Sequence, residues 1–156
     1  MSSSLLKVGM LLSILPDLDV IAFRLGIPYA SQWGHRGFTH SISTALLMAL
    51  FCTLFYKKLN SNKLSVFIFS FISMVSHPLL DALTDGGLGV ALLWPFSFER
   101  FFLPWRIISV SPIGSSFFSV RGLLVIQSEF VTVCLPAIIF GLCIYFVRDT
   151  YFKKHV

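Results

Sequence analysis

The sequence predicts an all-α fold: a polytopic membrane bundle of about four transmembrane or membrane-embedded helices with a long interfacial connector. Three observations predict it. Hydrophobic residues make up 56% of the 156 residues and charged ones only 12%, where a soluble domain carries roughly 25% charged. Mean hydropathy is +0.84. The apolar residues gather in four runs with polar, Gly- and Pro-containing stretches between them and no internal repeat. At this length, residues 1–156 form a single membrane-embedded domain.

The first run, residues 5–15, is short for a span, which needs about 20 residues, and Lys7 near its end can snorkel. It leads into "LPDLD" rather than a small-residue cleavage site, which argues against a cleaved signal peptide. The second run is "SISTALLMALFCTLFY", residues 41–56, closed by Lys57 and Lys58. The third is "LSVFIFSFISMVSHPLLDAL", residues 64–83. The fourth, residues 123–147, ends at Arg148 and contains Glu129 and Pro136, which kink it or make part of it interfacial. Residues 84–122 form the connector, where Trp94, Trp105 and Phe pairs suit the membrane–water interface.

The net charge is +5. No Lys/Arg cluster with interleaved aromatics suggests a nucleic-acid groove, so membrane lipids, through their anionic headgroups, are the expected partners of the basic residues. Cys52, Cys134 and Cys143 all lie in apolar runs, are odd in number and fit no zinc knuckle or redox pair; they read as small hydrophobes. With "KKLNSNK" and the C-terminal tail in the cytoplasm, that side holds Lys7, Lys57, Lys58, Lys63, Arg148, Lys153 and Lys154. The other side then holds Arg24, Arg36, Arg100, Arg106 and Arg121, together with every candidate ligand described next.

Those candidates are polar groups at the ends of apolar runs. In "LPDLD", Asp17 and Asp19 follow Pro16 and point to one side if the segment is extended; they also suit a turn. In "WGHRGFTHS", His35 and His40 divide between a loop and a helix start, with Thr39 or Ser41 as the cap. In "SHPLLDALTD", His77, Asp81 and Asp85 fall at i, i+4 and i+8 on one helical stripe, although "TDGG" is also a stop signal. Ionisable groups near transmembrane helix ends are expensive and mark function by default. His-x-x-x-Asp offers nitrogen and oxygen to one ion from adjacent turns. Three of the four histidines lie in these clusters and the fourth, His155, is in the tail. A divalent ion with N and O ligands, zinc or alternatively manganese, accounts for the set and offsets the carboxylate charge near lipid.

"LPDLDV", "HRGFTHS", "HPLLDALTDGG" and "WPFS", in that order, resemble the YdjM/YbcI-type family of inner-membrane proteins, to which metal-dependent hydrolase activity is ascribed. "SPIG", "FFSVRG" and "SE" downstream are similar to the same family, so the likeness covers residues 9–129. The resemblance implies a bacterial inner-membrane location and metal ligation by Asp17, Asp19, His35, His40, His77 and Asp81. It implies that Asp85, Arg36 and Glu129 surround the ligands or face substrate. Family members begin with a longer first helix bearing a Thr-His or Ser-His pair, whereas this chain has no histidine before His35.

The mechanism this predicts is hydrolysis of a membrane phosphoester such as a phospholipid. A metal lowers the pKa of a water, Asp17 or Asp19 takes its proton, and Arg36 stabilises charge on a phosphoryl oxygen. Arg100, Arg106 and Arg121 hold anionic headgroups or simply anchor at the interface, and Glu129 pairs with Arg121 or a ligating histidine or is itself interfacial. The rival reading is a non-enzymatic scaffold or stress-response protein with one structural ion. The excess of ligands over one tetrahedral site favours the enzyme; the missing histidine favours the rival.

Overall fold

In the computed structural model, which describes residues 1–155 apart from the side chains of residues 149 and 151–155, six α-helices follow one another. They are α1 (Ser3–Ile14), α2 (Ile21–Arg24), α3 (Ile42–Thr53), α4 (Lys63–Asp81), α5 (Val120–Glu129) and α6 (Leu135–His155). Among the described residues there is no strand, only an isolated antiparallel bridge between Val90 and Phe101. The fold is all-helical, as the hydropathy pattern predicts. The side chains of Lys153 and Lys154, expected on the cytoplasmic side, and of His155 in the tail lie outside the described residues.

Helices begin where the sequence supplies a side-chain acceptor. Ser2, Ser41, Asn62 and Ser119 each accept a hydrogen bond from a backbone N–H in the first turn of α1, α3, α4 and α5. Of the two candidate caps at α3, the structure uses Ser41, which frees Thr39 for other work.

The chain divides into two compact units, residues 1–106 and residues from 107 onward. In the first, α4 packs against both α1 and α3. Each helix buries one narrow stripe: Leu5, Gly9 and Leu12 on α1; Ala45, Ala49 and Cys52 on α3; Val66, Ser70, Met74 and Pro78 on α4. These recur at i, i+4 and i+7 or i+8, one face of a helix. Many are small. Lipid is as apolar as leucine, so association of membrane helices rests on close van der Waals approach, which small residues permit. Gly9 is the tightest point: a Cβ there would lie 2.3 Å from a Phe69 ring carbon and 2.9 Å from Ser73 Oγ.

In the second unit, α5 passes through a π-helical turn, Phe130–Cys134, into α6. Pro136 supplies the cause, since it has no N–H and its ring displaces the carbonyl four residues earlier. Two helical stretches are long and apolar enough to cross a membrane: Lys63–Asp81, with 19 residues, and Val120–Arg148, with 29. The shorter α3 is also apolar.

Two local expectations are corrected. Asp17 and Asp19 lie on a 3-10 helix, Leu15–Val20, not on an extended segment. Pro16, near the first position of that helix, fits there because its fixed φ suits a helical start and its missing N–H is unneeded. The stripe His77, Asp81, Asp85 stops at its second member. α4 ends at Asp81, where Thr84 turns back and its N–H and hydroxyl both donate to the Asp81 carbonyl. Asp85 falls beyond the helix and is exposed.

We expect Gly9→Val to lower the unfolding midpoint of the detergent-solubilised protein, by the equivalent of about 1–3 kcal/mol for overpacking. Circular dichroism melts of the two proteins check this; equal midpoints would show that α1 does not depend on the approach at Gly9.

Candidate metal centre

Three segments meet at one end of the α1–α3–α4 bundle. The 3-10 helix after α1 brings Asp17 and Asp19, a short 3-10 turn (Phe38–His40) before α3 brings His40, and the last turn of α4 brings His77 and Asp81. The loop between α2 and α3 adds His35 and Arg36. All lie in the first unit.

Two groups in this cluster can hold a metal ion. The first is Asp17, His40, His77 and Asp81; the second is Asp19, His35 and His40. In the first, His40 Nε2 lies 3.7 Å from Asp17 Oδ1 and 3.3 Å from Asp81 Oδ2. His77 Nε2 lies 3.2 Å from Asp17 Oδ1 and 3.7 Å from Asp81 Oδ2. His40 Nε2, His77 Nε2 and Asp81 Oδ2 are buried and have no hydrogen-bond partner of acceptable geometry. Leaving three such atoms unpaired is costly unless a ligand takes them. Asp17 differs from the other three, its side chain being 53% exposed.

The opposite edges of His77, His40 and Asp81 are held. His77 Nδ1 donates to the Ser13 carbonyl at 2.8 Å, which turns Nε2 toward Asp17 and Asp81. His40 Nδ1 is 3.1 Å from Asp19 Oδ2 and 3.0 Å from Thr39 Oγ1. Arg36 Nη2 donates to Asp81 Oδ1 at 2.8 Å, leaving Oδ2 to face the histidines. Fixing the far side of each ligand in this way is what orients metal-binding side chains.

Asp19 is engaged on both oxygens. Oδ1 lies 2.6 Å from His35 Nδ1, and Oδ2 accepts from the Arg36 N–H at 3.1 Å and from Thr39 Oγ1 at 2.6 Å. Its partners therefore set the rotamers of His35 and His40. Arg36 is buried, 4% exposed, with a left-handed backbone at φ 61°. Its Nη1 donates to Thr84 Oγ1 and the Gly86 carbonyl. This guanidinium braces Asp81 rather than facing a phosphoryl oxygen. Arg100 likewise spends its donors on backbone, the carbonyls of Tyr29, Ser31, His35 and Gly89. It pins the loop that carries His35 instead of offering itself to a headgroup. Arg106 lies over the Phe102 ring, 4.0 Å from its centroid. Arg121 and Glu129 belong to α5 in the second unit, both exposed.

Electrostatically the cluster sets carboxylates against imidazoles, a donor set that could hold a cation. Burial alone would raise the carboxyl of Asp17, but His40 and His77 hold it well below the usual carboxylate range. Burial opposes Asp19 in the same way, and His35, His40 and Thr39 outweigh it to keep that carboxyl low as well. Burial pushes the His40 imidazolium down, yet the carboxylates of Asp17, Asp19 and Asp81 around it push it up to about 10. In the metal-free chain a proton on His40 supplies positive charge that an ion supplies when bound.

The model of the family described as YdjM inner membrane protein matches residues 2–155. The chain belongs to this family. It is similar to inner membrane protein YbcI of Escherichia coli strain K12, 42% identical over 137 residues, covering 86% of this chain and 79% of that protein. It is also similar to inner membrane protein YdjM of the same strain and of Shigella flexneri, each 36% identical over 108 residues; these matches cover 62% of this chain and 51% of those proteins. No solved structure matches. With two membrane-length helices, family membership makes the chain an integral, multi-pass protein of the inner membrane.

The structure also uses residues to which the sequence reading gave no site role. Thr39 bridges Asp19 and His40, and its position one residue before a histidine was the available signal. Thr84 supports Arg36 and lies in the "LTDGG" stop signal. The Ser13 carbonyl that fixes His77 is backbone and leaves no mark in the sequence.

The metal-free protein is expected to show a stability optimum in pH. Asp17 and Asp19 are depressed, so their contribution is present above the unfolded carboxylate value near 3.9 and is lost as pH falls through their folded values. His40 is raised, so its contribution is complete below about 6.5 and is lost as pH rises toward about 10. Melting midpoints after chelation should therefore decline from pH 6.5 to 10, and saturating zinc should flatten that decline. A chelated midpoint constant over this range would contradict the assignment of His40.

Proposed function

We propose that the chain is a membrane-bound, metal-dependent hydrolase acting on a phosphoester such as a phospholipid, with its site at the extracytoplasmic membrane face. The observation that carries this reading is the pairing of three buried side-chain atoms that lack a hydrogen bond with one exposed carboxylate. The buried three suit a held ion. Asp17 leaves the site open to a substrate.

Zinc fits the donor set of imidazole nitrogens and carboxylate oxygens, and manganese is the alternative. Bonds of about 2.0–2.1 Å in a tetrahedron separate ligand atoms by about 3.3–3.4 Å, close to the 3.2–3.7 Å of the four imidazole–carboxylate pairs of His40 and His77 with Asp17 and Asp81. His40, His77 and Asp81 would hold the ion, with Asp17 the exchangeable fourth ligand. A bound divalent cation supplies Lewis acidity and a water of lowered pKa. Asp17, at the mouth, would accept a proton at its carboxylate. Asp19 holds His40 in one tautomer and Arg36 holds Asp81, so neither needs to touch substrate. The extracytoplasmic placement rests on Lys57, Lys58 and Lys63, which lie between the C-terminal end of α3 and the start of α4, at the other end of those helices from His40 and Asp81.

A second reading has its own observation. Four protein ligands close a tetrahedral shell, as in structural zinc sites, and an ion there would lock α1, α3 and α4 together in a non-enzymatic scaffold.

Metal content by mass spectrometry, with a phospholipid and phosphodiester hydrolysis screen, separates the two. The hydrolase reading expects stoichiometric zinc or manganese in wild type and little in His77→Ala. It expects Asp17→Asn to keep most of the metal while losing hydrolysis by about 10²–10⁴-fold, the range for a general base. Metal retained by wild type with no hydrolysis across the screen would leave the structural ion; no metal in wild type would overturn both.

A further inference from the structure

Beside the metal centre lies an apolar groove of about 380 Å³. It runs between the 3-10 helix after α1, α2, the loop before α3, and α3 and α4 themselves. Its volume falls within the roughly 300–1,000 Å³ typical of small-molecule sites. We propose that it seats one fatty acyl chain of a bilayer lipid.

Three observations identify the occupant. First, the rim is apolar and exposed on an inner-membrane protein: Leu18, Ile21, Leu25 and Trp33 line the groove and are 58%, 54%, 72% and 49% exposed. An apolar channel opening on such a surface meets hydrocarbon, not water. Second, the rim carries an interfacial aromatic cluster. Trp33 packs on Phe38 at 5.1 Å and on Trp94 at 5.9 Å between ring centroids. Tryptophans of this kind sit at headgroup level, so the mouth lies where acyl chains begin. Third, Met48 and Met74 form part of the lining. Unbranched thioethers adapt to a flexible chain better than branched side chains do.

The groove's polar lining includes Asp19 and Thr39, the pair that orients His40. A chain seated there places its lipid next to the residues that set up the metal centre. The proposal therefore deepens the hydrolase reading and, for this consequence, rests on it: the substrate is an acyl-bearing phosphoester rather than a soluble one. Binding of the chain does not itself require hydrolysis.

The test uses the full-length protein in dodecyl maltoside with a phosphatidylglycerol bearing a diazirine near the end of one acyl chain. After photolysis, adducts are mapped by mass spectrometry. The proposal expects saturable labelling concentrated on residues 15–25 and 44–48, competed by unlabelled phosphatidylglycerol and several-fold weaker in Ala22→Phe and Met48→Trp, which fill the groove. Labelling spread over the exposed faces of α3, α5 and α6, and unchanged by competitor, would overturn it; this readout needs no variant to fold. His77→Ala separates the two readings: metal and hydrolysis lost with groove labelling kept is the expected pattern. Wild type that labels in the groove but hydrolyses nothing removes the enzyme and leaves the acyl site. Wild type that hydrolyses phospholipid without groove labelling removes the acyl site alone.

Discussion

The structure of the first unit depends on one buried imidazole. His40 is fully buried, with Asp17 and Asp81 facing one ring nitrogen and Asp19 the other. An imidazole with carboxylates on both edges can remain buried only with a positive charge, its own or an ion's. That constraint ties the start of α3 to the segment after α1 and to the end of α4. The packing stripes hold the helices side by side; His40 and its carboxylates set how their ends meet. The small residues of those stripes let the backbones approach closely enough for a side chain as short as aspartate to reach across.

Around this imidazole the support is layered. Thr39, Asp19 and the Ser13 carbonyl fix the ring edges of His40 and His77, and Arg36 fixes Asp81. Arg36 does so from a left-handed backbone that a side chain of its size adopts at a cost of order 1–3 kcal/mol. Glycine would relieve that strain but remove the guanidinium. The loop of residues 86–103 closes over the arrangement through backbone bonds, Ala91 N–H to the Arg36 carbonyl, Ile42 N–H to the Leu92 carbonyl and Leu103 N–H to the Ala82 carbonyl. That part of the connector, residues 86–103, therefore belongs to the site's frame.

Much of this was legible in the sequence. Apolar runs gave the helices, Lys57 and Lys58 their turn, and polar groups at run ends gave Asp17, His40, His77 and Asp81. What was not legible is direction. Sequence spacing shows that Asp17 and Asp19 are near one another, yet a 3-10 helix and an extended strand send their side chains to different partners, and the choice was made by α1 continuing without a break into Pro16. Arg36 and Arg100 have the composition of anion-binding residues; that they brace carboxylates and carbonyls is a tertiary fact. His77, Asp81 and Asp85 share a helical stripe only while the helix lasts, and Thr84 ends it.

The lengths of α1 and α3 bear on the lipid itself. Each has 12 residues, about 18 Å at 1.5 Å per residue, against a hydrocarbon core of about 30 Å. Hydrophobic mismatch of this size is met by local bilayer thinning or by seating in one leaflet. Either response draws the headgroup plane toward the bundle end where His40, His77 and Asp81 converge. On the proposed hydrolase reading, a lipid substrate would reach that end by moving laterally in its own leaflet, without leaving the membrane.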